Sequence, residues 1–379
     1  MRSCLRSIRQ RDFGDLAKGV EFIMRFVVLP GDGIGPEICA ATVEVLRLLN
    51  AKLSLGLVFE SHEIGLTRLA REGTTFPASV LEACRAADGI MLGPVSHSNY
   101  PPRAEGGINA SGELRIQLDL FANIRPCRSR KGLPRWGQTA MDLVIVRENT
   151  EGFYSDRNMF LGLGEFMPTP DVALSIRKIT KPGSRRIAMA AFELARRRRK
   201  KLTAVHKANV LRISEGLFLH EARNVAEQFP DVVYEEQLVD SMAALLVRDA
   251  ARFDVILTTN MFGDILSDEA SELSGSLGLA GSINAGAAHC IAQAQHGSAP
   301  DIAGRDQANP TSLILSAAML LDWLARKSGR EIFARAAELV EESVDALLEV
   351  PEKRTADVGG PLGTKAFTAA VCEEINRRI

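Results

Sequence analysis

The sequence predicts an α/β fold divided between two domains. Short apolar runs typical of strands alternate with longer segments of helical periodicity over most of the chain, which is the pattern of α/β proteins. At 379 residues the chain is long enough for two domains of roughly 150 residues each. Hydrophobic residues make up 46% and charged residues 25%, so the composition excludes a wholly disordered or collagen-like protein.

The predicted elements follow one another from residue 26. An apolar strand over 26–29 leads into the glycine turn at 31–35 and a helix to about residue 49. From residue 311 the pattern is mainly helical. Further strands are predicted over 89–93, 142–146, 202–206, 232–238 and 254–259, and further helices over 184–199, 213–227, 242–251, 313–324 and 331–348.

Residues 1–23 precede the first well-patterned segment. They contain four arginines and few acids, which is weakly typical of a transit peptide. Met24 opens directly into a strand-like run, which favours Met24 as the functional start. We therefore expect residues 1–23 to be peripheral to the fold.

The charge balance argues against nucleic acid or a membrane as partner. Lys and Arg number 46 against 47 Asp and Glu, and no apolar run reaches the roughly 18 residues of a spanning helix. A basic run at 196–201 has no interleaved aromatic residues and is better explained as the solvated end of a helix. The six cysteines are scattered without a Cys-x-x-Cys pair, which favours a reducing cytoplasm over a disulfide framework or zinc site.

Acidic residues at strand-to-helix junctions suggest a site for a hard divalent cation. Asp264 and Asp268 follow the strand over 254–259 and stand four residues apart, and a helix expected to begin near Asp264 aligns them on one face. A single aspartate near a helix start is explained by its favourable interaction with the helix dipole. For two aligned aspartates, binding of Mg²⁺ or Mn²⁺ is at least as good an explanation. Asp240 is most simply a helix cap, and Lys207 is a solvated strand end or, beside a metal, a general base.

Three arginines and a tyrosine form a second group. Arg115, Arg125 and Arg147 are each explained by a surface ion pair, but if they converge they form a fork for a di- or tricarboxylate. Tyr154 follows Arg147 across a Glu-Gly turn and is either a packing residue or a proton donor.

A loop rich in small residues follows. The segment from His296 to Gly304, with Asn309 after it, is either a plain connection or a loop shaped around a flat ligand. The glycine turn at 31–35 reads GDGIGP and does not match the G-x-G-x-x-G dinucleotide fingerprint.

Together these segments resemble the β-decarboxylating dehydrogenases, the family of isopropylmalate, isocitrate, homoisocitrate and tartrate dehydrogenases. The resemblance covers residues 24 to about 367. The matching motifs are LPGDGIGPE at 29–37, DLFANIRP at 119–126, RENTEG at 147–152, KAN at 207–209, NMFGDILSD at 260–268, the loop from His296, and TADVGG at 355–360.

The resemblance implies a two-domain α/β fold with a mixed sheet that is not a Rossmann fold, built as a homodimer with shared active sites. The implied domains are 24–120 with 276–379 on the cofactor side, and 121–275 as the central domain with the dimer interface. Adenosine would be held by the loop residues His296, Gly297, Ser298, Ala299, Pro300, Asp301 and Ile302, together with Asn309. Asp301 and Ile302 resemble the NAD-using members, since NADP-using relatives carry Lys-Tyr there.

The resemblance also implies each residue's role. Asp264 and Asp268, with Asp240 of the other subunit, would bind Mg²⁺ or Mn²⁺. Lys207, also from the other subunit, would take the hydroxyl proton of a C3-substituted malate, and Tyr154 would protonate the enol left after CO₂ departs. Arg115, Arg125 and Arg147 would clamp the departing carboxylate.

The segment before Arg115 departs from the family pattern. Isopropylmalate enzymes carry a leucine pair there, whereas this chain has Asn109 and Ser111, which suit a polar substituent. A carboxylated, hydroxylated or small C3 group all remain open, and tartrate or D-malate is the alternative substrate type. A non-catalytic regulatory subunit is disfavoured because Tyr154 and Lys207 and the three aspartates are all present.

Overall fold

The computed structural model describes residues 23–154, 159 and 164–379. The expectation for the N-terminal segment concerns residues that, apart from Ile23, lie outside this range. Met24 is buried and begins the first strand, as the sequence pattern predicts.

Twelve strands are described. They are β1 (Met24–Leu29), β2 (Leu57–Ser61), β3 (Gly89–Leu92), β4 (Ala122–Arg128), β5 (Asp142–Glu148), β6 (Glu165–Thr169), β7 (Val172–Ser175), β8 (Lys201–His206), β9 (Val233–Leu238), β10 (Val255–Thr258), β11 (Ile283–Ala285) and β12 (Cys290–Gln293).

Eleven α-helices are described. They are α1 (Gly35–Leu53), α2 (Leu66–Glu72), α3 (Ala78–Ala86), α4 (Ala110–Gln117), α5 (Lys181–Arg197), α6 (Ser214–Ala226), α7 (Val239–Asp249), α8 (Asn260–Ser274), α9 (Thr311–Ser328), α10 (Glu331–Leu348) and α11 (Thr364–Arg378). No helix among the described residues is long and apolar enough to cross a membrane.

Ten strands form one mixed sheet in the order β2-β1-β3-β12-β11-β4-β5-β10-β8-β9. The strand β4 is antiparallel to both of its neighbours, β11 and β5, and β11 is also antiparallel to β12. The other neighbours in this sheet run parallel. This open mixed sheet confirms the predicted α/β class, and β6 with β7 forms a separate exposed hairpin.

Helices cover both faces of the large sheet. Successive residues of a strand point to opposite faces and therefore pack into different cores. In β1, Phe26 and Val28 pack with α1, α9, α10 and α11, whereas Val27 and Leu29 pack with α3 and α4. In β5, Val144 packs with α5 and α6, whereas Ile145 packs with α7 and α8.

The pairing of β11 with β4 marks the boundary between two halves of the sheet that come from different chain segments. The strands β2, β1, β3, β12 and β11 come from segments 24–120 and 276–379, and the other five come from segment 121–275. Each expected domain thus supplies half of the sheet. The division of the chain into two domains stays a prediction.

Two local interpretations differ from the structure. The helix carrying Asp264 and Asp268 begins earlier than expected, at Asn260, so both carboxylates lie beyond its first turn, where the dipole effect is weak. Asp240 lies within the first turn of α7 and caps nothing with its side chain, since the cap position is Leu238.

The basic run at 196–201 ends α5 and begins β8, and most of its charges are paired. Arg196 and Lys200 bond to Asp231, Arg198 and Arg199 bond to Asp142 and Asp254, and Lys201 bonds to Glu235. This pairing supports the interpretation of the run as a helix end.

Candidate active site

A cleft of about 310 Å³ lies at the junction of the two sheet halves, on the α8 face. The chain reaches it from α4, β4, β5, α8 and the segment after β12. Nine of the residues singled out from sequence line it: Asn109, Ser111, Arg115, Arg125, Arg147, Tyr154, Asp264, His296 and Gly297.

The arginines of β4 and β5 meet the aspartates of α8. Arg125 places Nη1 at 3.3 Å from Asp264 Oδ1 and at 3.1 Å from Asp268 Oδ1. Arg147 donates Nη1–H to the same Asp264 oxygen. Because β4 and β5 are paired neighbours and α8 packs across both, residues far apart in sequence converge here.

Buried amides fix the two guanidinium groups. Asn123, two residues before Arg125 on the same strand face, accepts its Nε–H at 2.5 Å. Asn260 accepts the Nε–H and Nη2–H groups of Arg147 at 3.0 and 2.7 Å. A Cβ at Gly263 would lie 2.6 Å from Arg147 Cβ, so a glycine is needed where α8 crosses this arginine.

The site holds Asp264 as a carboxylate. Burial by itself raises the pKa of Asp264, but the positive charges of Arg147, Arg125 and Arg115, with the hydrogen bond from Tyr154, outweigh burial and leave the pKa below its ordinary value. Burial lowers the pKa of Arg147 to about 10. The cleft thus combines ionised groups of both signs at neutral pH.

Tyr154 is placed for proton transfer. Its hydroxyl donates to Asp264 Oδ2 at 3.2 Å, and the Arg147 guanidinium lies 5.7 Å from the centre of its ring. The half-buried phenol lines the same cleft as the arginines.

The residues singled out before Arg115 are already engaged with protein groups. Asn109 Oδ1 caps α4 by accepting the Gly112 N–H at 3.2 Å. Ser111 donates its hydroxyl to Gln293 Oε1 at 3.1 Å, and Gln293 Oε1 also accepts from Asn284. The amide nitrogen of Asn109 and the Ser111 oxygen keep hydrogen-bonding capacity toward the cleft.

The glycine turn at 31–35 supports the loop from His296. The Ser298 carbonyl accepts the Ile34 N–H at 2.8 Å, and the Ser298 and Ser96 hydroxyls lie 2.7 Å apart. A Cβ at Gly33 would lie 1.9 Å from that carbonyl oxygen, and Gly33 has φ of +57°. The turn therefore brings the loop against the first strand of the sheet.

The loop has room and polar groups for a flat ligand. Among the residues that the structure describes, His296 Nε2 is buried without a hydrogen-bond partner, and none lies within 4 Å of a Cβ built at Gly297. Burial lowers the pKa of His296 and favours its neutral form. Asn309 is buried and donates to Asp357 at 2.9 Å, whereas Asp301 is exposed and free to meet a ribose. These features fit a nicotinamide dinucleotide, and Ala299, Pro300 and Ile302 complete the loop.

Lys207 and Asp240 do not line this cleft. They lie at the ends of β8 and β9, where Lys207 Nζ donates to Asp240 Oδ1 at 2.5 Å. Lys207 donates its backbone N–H to the fully buried Glu215 at 2.8 Å, which fixes the start of this segment. The hydrogen bond from Lys207 lowers the pKa of Asp240.

One chain supplies some, but not all, of the oxygen ligands that a divalent cation needs at this site. Asp264 and Asp268 both approach Arg125 Nη1 and offer oxygen ligands, as Mg²⁺ and Mn²⁺ prefer. Among the described residues no three His, Cys, Asp or Glu side chains converge as a metal site. The two aspartates therefore fit the ion as part of a set completed from elsewhere.

Two residues that hold the predicted site side chains in place, Asn123 and Gln295, were not singled out from the sequence. Asn123 was detectable, because residues two apart on a strand share a face. Gln295 was not: it lies after β12 yet donates to Asp268 Oδ1 at 2.8 Å, a contact between segments 27 residues apart that no local pattern indicates.

Proteins of known family resemble this chain in sequence and structure. The family model for isocitrate/isopropylmalate dehydrogenase matches residues 25–375. The 3-isopropylmalate dehydrogenase of Archaeoglobus fulgidus is 40% identical over 92% of this chain and 98% of its own. The isocitrate/homoisocitrate dehydrogenase of Thermus thermophilus is 42% identical over 93% and 98%.

A solved structure gives the same result for the fold. The crystal structure of isocitrate dehydrogenase from Methylococcus capsulatus superposes with a TM-score of 0.82 at 36% identity, covering 93% of this chain and 99% of that one. The sequence and structural matches span nearly the whole length of both partners. The chain therefore belongs to the isocitrate/isopropylmalate dehydrogenase family of enzymes.

Proposed function

We propose that this enzyme oxidises and decarboxylates a C3-substituted malate with NAD and a divalent cation, Mg²⁺ or Mn²⁺. The observation that carries the proposal is the convergence of Arg115, Arg125 and Arg147 with Asp264 in one cleft. Three guanidiniums suit a substrate with at least two carboxylates, and the aspartates of α8 suit the cation.

The arginines anchor the substrate. Guanidinium pairs with carboxylate in a bidentate geometry, so Arg125 and Arg147 hold the carboxylate on C3 that departs as CO₂. In the structure the two guanidiniums pair with Asp264 and Asp268. On binding, the substrate carboxylate would pair with the arginines and the cation would bind the aspartates. Fixation by Asn123 and Asn260 reduces the reorganisation that binding requires.

When bound, NAD accepts the hydride from C2, and the cation polarises the 2-hydroxyl and the adjacent carboxylate. The chain's residues handle the protons. Lys207 removes the proton from the 2-hydroxyl as the C2 carbonyl forms. The C3 carboxylate then leaves as CO₂, and the electron pair of the broken bond delocalises onto the C2 carbonyl as an enolate. Tyr154 gives its proton to C3 and restores the 2-oxo acid.

We infer that Lys207 and Asp240 act in the cleft of a second copy of the chain, as part of a homodimer. The two residues are joined to each other outside their own cleft. The segment after Lys207 and the adjoining helices expose apolar residues that a partner would cover: Val210, Ile213, Val247 and Ile265. The exposed β6–β7 hairpin, with Phe166 and Met167, offers a second such surface.

The lining favours a polar C3 substituent. Beside Asn109 and Ser111 lie His97, Gln293 and Gln295, and the apolar contribution near them is limited to Pro94, Val95 and Ala294. An isopropyl group would cover the spare hydrogen-bonding capacity of the Asn109 amide nitrogen and the Ser111 oxygen without satisfying it, which costs about 1–3 kcal/mol for each group buried in this way. This supports an isocitrate-, homoisocitrate- or tartrate-type substrate over isopropylmalate.

Asp301 favours NAD over NADP, because its carboxylate accepts ribose hydroxyls and repels a 2′-phosphate. We also propose a cytoplasmic location, since the five described cysteines are free and four are buried.

The proposal is tested by following NADH formation with Mn²⁺ across isocitrate, homoisocitrate, tartrate, D-malate and isopropylmalate. We expect turnover with a polar substrate and CO₂ released in equal amount to NADH. Oxidation without CO₂ release, or turnover with isopropylmalate alone, would contradict it. A regulatory subunit would turn over none of the five.

The assigned roles predict the effect of two substitutions. Lys207→Ala and Asp264→Asn should each lower kcat by about 10³-fold or more, because each removes a group that acts in the transition state. Lys131→Ala, an exposed lysine paired with Glu349, is the matched control and should keep normal rates. Size-exclusion chromatography should show all three at the wild-type elution volume; near-normal kcat in either site variant refutes its role.

A further inference from the structure

A second cavity lies on the opposite face of the sheet from the active-site cleft. In β4, Asn123 and Arg125 face the cleft side, whereas the alternating residues Ile124 and Pro126 line this second space. Its volume is about 540 Å³, against about 310 Å³ for the active-site cleft. We name it the back cavity, bounded by Ile124 and Val144 of the strands, Leu194 and Arg197 of α5, and Met319 and Arg326 of α9.

The back cavity combines an apolar floor with a cationic rim. Side chains of the strands and of α9 form the floor, among them Ile283 and Leu315. Five arginines line the space, Arg128, Arg130, Arg197, Arg198 and Arg326, against three acidic residues, Asp142, Asp322 and Glu341. Such a combination is typical of sites for organic anions rather than of a packing defect, which would be apolar throughout.

Two of the lining arginines have one carboxylate between them. Arg128 and Arg130 share Asp345, each bonding to one of its oxygens. Burial, and after it the nearby Arg128 charge, lower the pKa of Arg130 to about 10.

The facing walls also leave a positive charge unmatched. Arg326 pairs with Asp322 of its own helix, whereas Arg197 makes no ion pair or hydrogen bond within the described part of the chain. Burial first, and then the charge of Arg197 on the opposite wall, lower the pKa of Arg326. Arg198 is neutralised by Asp142 and Asp254, and Glu341 is exposed at the rim.

We propose that the back cavity binds a small organic anion, whose apolar body rests on the strand floor and whose acidic groups lie between Arg197 and Arg326. A bound anion would relieve the repulsion between these walls. It would also join α5 of one sheet half to α9 of the other, beside the strand that carries Arg125. The proposal does not rest on the reaction proposed for the cleft.

The probe for the test is 8-anilinonaphthalene-1-sulfonate, an aromatic anion whose fluorescence rises in apolar surroundings. It is titrated into the full-length protein with saturating NAD, so that the cleft is occupied. We expect saturable binding whose Kd rises about tenfold in Arg197→Ala and in Arg326→Ala, each having lost one charge-assisted contact. Lys200→Ala, in the same basic run but outside the cavity and paired with Asp231, should leave Kd unchanged.

A second variant tests the place of binding without changing charge. Met319→Trp puts a larger side chain into the cavity and should weaken binding of the probe by a similar factor. Thermal unfolding of every variant shows whether the fold is kept, and any variant that unfolds early is replaced by Arg326→Gln. Equal Kd in the arginine and Met319 variants and in wild type, or loss of all probe binding when NAD is added, overturns the proposal.

Discussion

At the residue scale, Asp264 shows how this cleft combines opposite charges. Its pKa is held below the ordinary value by three arginines and Tyr154, against the effect of burial. A carboxyl group with a lowered folded-state pKa stabilises the fold fully above its ordinary pKa and loses that contribution as pH falls through the folded value. Asp264 therefore remains a carboxylate at any pH near neutrality, ready for a cation.

His296 should make the unliganded protein less stable in mild acid. Burial lowers its pKa in the folded state, so the unfolded chain takes up a proton first as pH falls below about 6.5. The stability is fully present above that pH and declines below it. We expect Tm to fall between about pH 7.5 and about pH 5.5, and to fall less in His296→Gln. Thermal unfolding by circular dichroism checks this, and parallel pH profiles would contradict it.

Asp301 should determine the choice of cofactor. The side chain is exposed in the loop from His296, so Asp301→Lys changes charge without disturbing a core. We expect kcat/KM for NAD to fall and that for NADP to rise, each by about tenfold, because a lysine attracts the 2′-phosphate that the aspartate repels. An unchanged ratio of the two kcat/KM values would refute the role, and Arg305→Ala nearby is the control.

At the scale of elements, the glycine turn at 31–35 and the loop from His296 form one unit. Gly33→Ala would place a methyl group against the Ser298 carbonyl in a left-handed backbone conformation. The strain alone costs about 1–2 kcal/mol, and displacement of the loop should raise KM for NAD more than it changes kcat. Gly329→Ala, also in a left-handed conformation but with open space at its Cβ and outside the loop, is the matched control. Equal KM values for NAD in the two variants would show that the glycine turn does not support the loop in NAD binding.

Elements with a strong local pattern were predictable from sequence, and contacts between elements were not. Helix α10 matches its predicted bounds, 331–348, because its apolar spacing is regular. Helix α8 begins at Asn260, before the expected start. Asn260 bonds to Arg147 and to the Glu151 carbonyl. Both lie far away in sequence, so no local pattern indicates this start.

The candidate site was predictable where motifs carry it. The arginines, Tyr154 and Asp264 do converge, but the separation of Lys207 and Asp240 from their own cleft depends on strand order. The back cavity has no motif at all, since its arginines come from β4, α5, α9 and the segment after β4.

At the scale of the whole molecule, the net charge of −1 follows from 46 basic and 47 acidic residues, and many of these residues are paired with one another. The basic run at 196–201, which alone suggested a polyanion partner, is mostly bonded to Asp142, Asp231, Asp254 and Glu235. Arg197, which lines the back cavity, is the member of this run that makes no ion pair or hydrogen bond among the described residues.

The central claim is that each active site is built from two chains, with Asp264 from one and Lys207 from the other. It is tested most directly by co-expressing Lys207→Ala and Asp264→Asn chains with different tags and purifying the mixed dimer. One of its two sites then has both groups intact, so we predict about half the wild-type kcat, although each variant alone is inactive. A mixed dimer as inactive as its parents would contradict the shared site.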